Sequence, residues 1–177
     1  DHGLEGGGRF VDADLGLANV DVLLGLNTSG TIEDVMFGGA ALEDIIRRDV
    51  HGIDIIPGSS GIQRMADLEQ DRVKDLVSAF SRLGGYAYFI MDTSAGIARS
   101  VVAFCLGAPE VILVIHPEPA AMTDAYALLK VLHLNRYQGR IKVVISRCRS
   151  ISQAKTFFLS FRSTVKEFLR MEIGLMG

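Results

Sequence analysis

The stretch FIMDTSAG, residues 89–96, ends a hydrophobic run in Asp92 and follows it with Thr93, Ser94 and Gly96. In phosphate-handling α/β proteins an acid at this place holds Mg2+, directly or through water. The same residues support a plainer role, because Asp92, Thr93 or Ser94 can accept backbone N–H bonds at the start of the next helix. The stretch alone does not choose between the two. Asp-Thr-Ser-Ala after a hydrophobic pair is also the aspartic-protease signature, whose chemistry needs two carboxylates sharing a proton on a mostly β scaffold. The flanking segments here have helical patterns and there is no second copy, so the protease reading is set aside.

A second acidic pair, Asp12 and Asp14, ends the short run RFV and opens DADLGLANVDVLLGL. Their spacing can aim both at one site in a turn, one orienting a nucleophilic water while the other binds metal or a neighbouring loop. The alternative is a solvated turn with Asp14 as a helix cap. PGSSG, residues 57–61, offers amides and hydroxyls but departs from the G-x-S-x-G nucleophile elbow, and reads as a turn. His116, at the end of an apolar run, reads as structural, and His2, His51 and His133 form no ligand spacing.

These residues need a scaffold. Short apolar runs at Arg9–Val11, Ile53–Ile56, Tyr86–Met91, Val111–Ile115, Ile141–Ile145 and Met171–Leu175 read as strands. Helical spacing recurs over Gln63–Leu83, closed by Gly84-Gly85, and over Ala121–Leu134 and Ser152–Leu169, where Phe157, Phe158, Phe161, Val165, Phe168 and Leu169 share one side. Tyr86–Met91 and Val111–Ile115 are apolar throughout, as strands buried on both faces should be. Strands alternating with helices imply crossover units. The expected fold is α/β: a three-layer sandwich with a mostly parallel central sheet and helices on both faces. Ligands in such sheets bind at the carboxyl ends of strands, here Asp12–Asp14, Pro57–Ser60, Asp92–Gly96, Pro117–Pro119 and Ser146–Arg149.

The bulk numbers agree with an ordinary globular chain. There are 177 residues, 49% hydrophobic and 22% charged, enough for one domain with its own core. A net charge of −3 gives no electrostatic footprint for nucleic acid. Cys105 and Cys148 lack metal spacing and suggest a reducing compartment. No apolar run approaches the ~20 residues of a membrane helix, and the start carries no signal segment. The expectation is a soluble cytoplasmic protein.

Taken together, DADLGLANVDVLLGL (12–26), IIPGSSGIQRMADL (55–68), MDTSAGIARSVVAF (91–104) and PEPAAMTDAYALLKVL (117–132) resemble the MinD/ParA family of deviant P-loop ATPases, in its flagellar-number branch, the FlhG/FleN type. The stretches stand in family order and spacing, and the resemblance covers residues 9–177. It implies ATP and Mg2+ as cofactors. By resemblance, Asp12 and Asp14 match the switch I acids, Asp14 near the attacking water. Asp92 matches the Mg2+-binding acid, and Thr93, Ser94 and Gly96 match switch II. Pro117 and Glu118 match the loop that approaches nucleotide and dimer partner. Ser146 and Arg147 fall where adenine is recognised, a place often held by Asn in the MinD branch. The Ser152–Leu169 helix lies where the family has a core-packing helix.

One part of the family pattern is missing. A strand, K-G-G-x-G-K-[ST] and a helix precede the Asp12 strand in the family, whereas about eight residues precede it here. GLEGGGRF has no Lys, Ser or Thr, Gly-Lys-Ser/Thr occurs nowhere, and the lone Lys155-Thr156 pair follows Gln-Ala. A P-loop wraps backbone N–H groups and lysine around phosphates and puts a hydroxyl on Mg2+; GLEGGG has none of those side chains. The expected organisation is a flexible segment, 1–8, and an N-terminally shortened domain, 9–177, with little or no ATP hydrolysis of its own. By resemblance the missing strand lies between the Asp92 and Val111 strands. Either those two close up, or a second copy, an exchanged strand or another chain covers the gap. The resemblance points to protein partners in the flagellar regulatory system, with no nucleic acid and no membrane association. The competing expectation is a split or partial form of an active ATPase whose P-loop comes from elsewhere.

Overall fold

The computed structural model describes residues 7–12, 24–25, 30–58 and 70–177. They fall in two compact units, Asp1–Ser94 and Ala95–Gly177.

In the first unit, strands β1 (Gly7–Asp12), β2 (Arg47–Val50), β3 (Ile53–Ile56) and β4 (Tyr86–Asp92) form one sheet in the order β2-β3-β1-β4. β1 is parallel to β3 on one side and to β4 on the other, while β2 is antiparallel to β3. The β2–β3 reversal turns on His51 and Gly52, both left-handed with φ of 53 and 84, the backbone of a two-residue primed hairpin turn. Helix α1 (Ile32–Phe37) starts at a capping box in which the Thr31 N–H donates to Asp34 Oδ2 at 2.8 Å. Helix α2 (Gln70–Arg82) buries Val73, Leu76 and Phe80, and the Phe80 ring packs 5.0 Å from that of Phe89 on β4. Gly84-Gly85 follows α2 as expected, with Gly85 at φ 86.

In the second unit, β5 (Glu110–Ile115), β6 (Arg140–Ile145) and β7 (Gly174–Leu175) form a parallel sheet in chain order. Helices α3 (Arg99–Gly107), α4 (Pro119–Leu134) and α5 (Ile151–Leu169) supply the rest of its core. Ile115, Leu129, Ile141, Val143, Phe161 and Val165 make one cluster, and Val101, Cys105, Val111, Leu128 and Leu132 a second. The Ser152–Leu169 expectation holds: Phe158, Phe161, Val165 and Leu169 are buried, although Phe168 is exposed. The tail continues the β6 ladder, with Met176 N–H on Val143 O and Ile145 N–H on Gly177 O, both at 2.8 Å.

Several expectations need correction. The strands form a four-stranded sheet and a three-stranded one, where a single central sheet was expected. β4 and β5 were expected to be buried on both faces. Instead Tyr88 (61%) and Ile90 (54%) on β4, and Ile112 (48%) and Val114 (60%) on β5, are open to solvent. Each strand is the outer one of its sheet, and only one face is packed. Among the described residues β4 pairs with β1, and β5 pairs with β6. β1 begins at Gly7, inside the stretch expected to be flexible; residues 1–6 lie outside the described residues.

Candidate functional site

In the first unit the site is the carboxyl end of the sheet. β1 and β4 run in parallel register from Gly8 opposite Tyr88 to Asp12 opposite Asp92. The two acids that the sequence singled out on separate segments therefore end neighbouring strands side by side. Asp92 is exposed, and Thr93 and Ser94 are half-buried behind it. The capping role for these three fails: α3 starts at Arg99, and its N-cap is Ala98 with no side-chain bond. Asp14 lies outside the described residues, as do residues 59–69.

Register in this sheet is fixed at its opposite end. The Asp54 carboxylate of β3 accepts the Asp49 N–H at 2.9 Å and the hydroxyl of Tyr86, the first residue of β4, and pairs with Arg48 at 3.7 Å. β3 and β4 flank β1, so this tie spans the strand that carries Asp12.

In the second unit, the residues after β5 and β6 meet. Val111–Ile115 and Ile141–Ile145 are in-register neighbours, and the Ser146 N–H donates to Ile115 O at 2.9 Å. This brings Ser146 Oγ to 2.7 Å from His116 Nδ1. His116 O accepts the Glu118 N–H at 2.7 Å, which turns the chain into α4, with Glu118 as N-cap and Pro119 at the first helical position. After Ser146, Arg147 takes a left-handed backbone at φ 57 and is exposed. Ser150 caps α5, its hydroxyl accepting the Gln153 N–H at 3.1 Å, while Gln153 Oε1 accepts the Arg149 N–H at 2.8 Å. Of the expected residues, Pro117, Glu118, Ser146 and Arg147 thus sit on two adjoining loops at one sheet end. Gly96, with φ 96 and open space where a Cβ would stand, belongs to the start of this unit.

His116, which the sequence reads as structural, holds those two loops together, but the sequence does not show its partner. The available signal was positional: His116 directly follows a strand, one residue before the strand-end group taken to begin at Pro117. A Ser–His contact is also the start of an acyl-transfer dyad, but among the described residues no carboxylate is recorded against the imidazole to orient it. Among the described residues no three or more His, Cys, Asp or Glu gather to hold a metal ion.

No protein-family model matches the chain. Among solved structures, it superimposes on MinD in the MinC:MinD cell division complex of Aquifex aeolicus with a TM-score of 0.71 and 22% identity, over 98% of this chain and 69% of that one. It superimposes on MinD of Pyrococcus horikoshii complexed with Mg-ADP with a TM-score of 0.67 and 24% identity, over 86% and 65%. These likenesses define the fold class, a MinD-like P-loop fold. The chain is 38% identical to the antiactivator FleN of Pseudomonas aeruginosa over 169 residues, 95% of this chain and 60% of that protein. It is 36% identical to the flagellum site-determining protein YlxH of Helicobacter pylori over 126 residues, 71% and 43%. The chain belongs to the MinD/ParA family. It spans 60% and 43% of the length of those two relatives.

In the first unit Asp92 stands exposed at the end of β4. In the second unit a half-buried hydroxyl–imidazole pair stands beside the exposed Arg147. These 177 residues hold no Gly-Lys-Ser/Thr sequence to cradle phosphates, so no phosphoryl-transfer step is derived from them.

Proposed function

We propose that this chain is a MinD/FleN-like regulator of flagellar number or placement, or of a related spatial process, acting in the cytoplasm through protein–protein contacts. ATP hydrolysis by these residues alone is impaired or absent. The observation that carries the reading is the 38% identity to the antiactivator FleN across 95% of the chain. Phosphoryl transfer depends on positioning and charge stabilisation, and acids at strand ends without a Lys-bearing loop supply neither for a triphosphate. Asp92 takes the metal position, Asp12 and Asp14 those of switch I, and Thr93, Ser94 and Gly96 those of switch II. Pro117, Glu118, Ser146 and Arg147 take the nucleotide-contacting positions.

The partners are proteins of the flagellar regulatory system. The outer edge of β4 supports strand addition, by a partner or a second copy. Among the described residues it is the last strand of its sheet, beside the exposed apolar Tyr88 and Ile90. A second reading is favoured by the in-register Asp12 and Asp92: the chain is part of an active ATPase that binds and hydrolyses ATP when a P-loop is supplied.

The deciding experiment is a titration with a fluorescent ATP analogue and Mg2+. Binding no tighter than about millimolar, weaker than roughly −4 kcal/mol, supports the regulator. Micromolar binding weakened by Asp92→Ala overturns it in favour of the second reading.

A further inference from the structure

The first unit has an open cavity at the amino end of its sheet. The β2–β3 hairpin lines it with Arg48, Asp49 and Asp54, and the turn into β4 with Gly84, Gly85 and Tyr86. Its volume is about 360 Å³, within the roughly 300–1,000 Å³ of small-molecule clefts. Tyr86 opens β4 and Asp92 closes it, so the cavity stands roughly 20 Å along the strand from the acids at the carboxyl end. The backbone keeps it open. The β2–β3 register shifts between Arg47 and Val50, and Asp49, inside that shift, is left-handed at φ 54. Such irregularities re-aim side chains, and Arg48 and Asp49 both reach the cavity. On the other wall Gly84 and Gly85 have nothing within 4 Å of where a Cβ would stand.

The lining is rich in acceptors. Asp54, 16% exposed, takes the Asp49 N–H at 2.9 Å and the Tyr86 hydroxyl. Asp49 is exposed, and among the described residues no ion pair reaches its carboxylate. The cation in the lining is Arg48, 68% exposed and 3.7 Å from Asp54 Oδ2, too far for a hydrogen bond. A guanidinium better placed than that one carries five N–H donors in a planar fork, meets a carboxylate at two atoms and packs on aromatic rings; Tyr86 brings such a ring to the wall. Residues 1–94 also hold 16 of the 21 acidic residues and 7 of the 18 basic ones, a field that draws cations.

We propose that this cavity receives an arginine side chain of a partner protein, whose guanidinium displaces that of Arg48 from Asp54 and pairs with Asp49. Arg48 is then a resident stand-in that the guest pushes aside. Such a site needs neither nucleotide nor the acids at the carboxyl end of the sheet, and so goes beyond the regulatory reading above.

The test is an NMR titration of the 15N-labelled chain that follows the Gly84 and Gly85 amides. The probes are arginine blocked at both ends as N-acetyl methylamide, lysine blocked in the same way, and free arginine. Blocked arginine is expected to give saturable shifts in the low millimolar range, with blocked lysine at least threefold weaker. Asp49→Asn, which tolerates the left-handed backbone, should weaken blocked arginine at least fivefold. Arg48→Ala should tighten it about threefold, because a competitor is gone; a merely structural Arg48 would not do this. Both positions are exposed, and thermal melting checks that both variants keep the fold. No saturable shift by ~20 mM, a free energy near −2 kcal/mol, overturns the proposal, as does lysine equal to arginine or an Arg48→Ala variant that binds no tighter. Free arginine tenfold tighter than the blocked form overturns the partner protein as the source, in favour of a free small molecule.

Discussion

Tyr86 hydrogen-bonds Asp54 across an intervening strand. Asp54 belongs to β3, Tyr86 to β4, and β1 runs between them. The bond fixes the amino ends of the two strands flanking β1, and the opposite end of the same register carries Asp12 beside Asp92. Removing the hydroxyl leaves the Asp54 side chain, 16% exposed, short of a donor. Tyr86→Phe is expected to destabilise the first unit by about 1–3 kcal/mol, read as a lower urea midpoint with unchanged slope. No change in midpoint would show that the bond contributes nothing net.

Gly139 precedes β6 where there is no room for a methyl group. A Cβ there would collide with the Tyr137 hydroxyl and come within 2.7 Å of Pro109 O. Tyr137 cannot simply swing away, since its hydroxyl donates to Ala108 O at 2.9 Å. Gly139→Ala should cost about 1–3 kcal/mol by overpacking, with loss of the Tyr137 bond visible by thermal melting in parallel with Tyr137→Phe. A neutral Gly139→Ala would mean that the loop relaxes freely.

The two thiols should react at very different rates. Cys105 is buried in the second cluster, and burial pushes its thiol up to about 11, whereas Cys148 is half-exposed. A thiol reagent at pH 8 should label Cys148 in the folded chain and both residues only after denaturation. The raised value also sets a sign. The neutral thiol of Cys105 suits the fold fully below the unfolded-chain value, and that stability is lost as pH rises through about 11. Cys105→Ser should lessen the alkaline loss.

Glu172 carries the opposite sign. The Lys166 ammonium at 2.7 Å, with the Arg162 guanidinium at 3.2 Å, holds its carboxyl below the usual carboxylate range. The preference for the charged form is present above the ordinary Glu value and disappears as pH falls through the lowered one. A side-chain NMR titration should place its midpoint below 4.5, and Lys166→Met or ~0.5 M salt should return it toward that value.

The fold was legible where periodicity was strong. α4 and α5 match the sequence expectation to within two residues, and β3, β5 and β6 to within one, because their buried faces repeat at the spacing of their element. What could not be seen locally was coverage. YAYFIM and VILVI carry the composition of central strands, but composition records what a strand can pack against, and Tyr88, Ile90, Ile112 and Val114 stand about half exposed. The Arg47–Val50 strand was equally hidden, since RRDV has neither alternation nor β propensity and is held by its hairpin partner. At the site, Asp92, Ser146 and Arg147 were singled out by following strands to their ends. His116 reads as structural from its strand-end position, but its partner is invisible in sequence until another crossover brings Ser146 to it.

The uncovered rows on β4 and β5 also set how long such a chain survives. Aromatic and aliphatic side chains standing in water on outer strands are what chaperones hold and what self-associating intermediates share. Steady-state abundance in a cell then depends less on core stability than on a race. If a binding surface covers those rows before the cell's triage machinery reaches them, the level of the chain would follow how much of that surface is available.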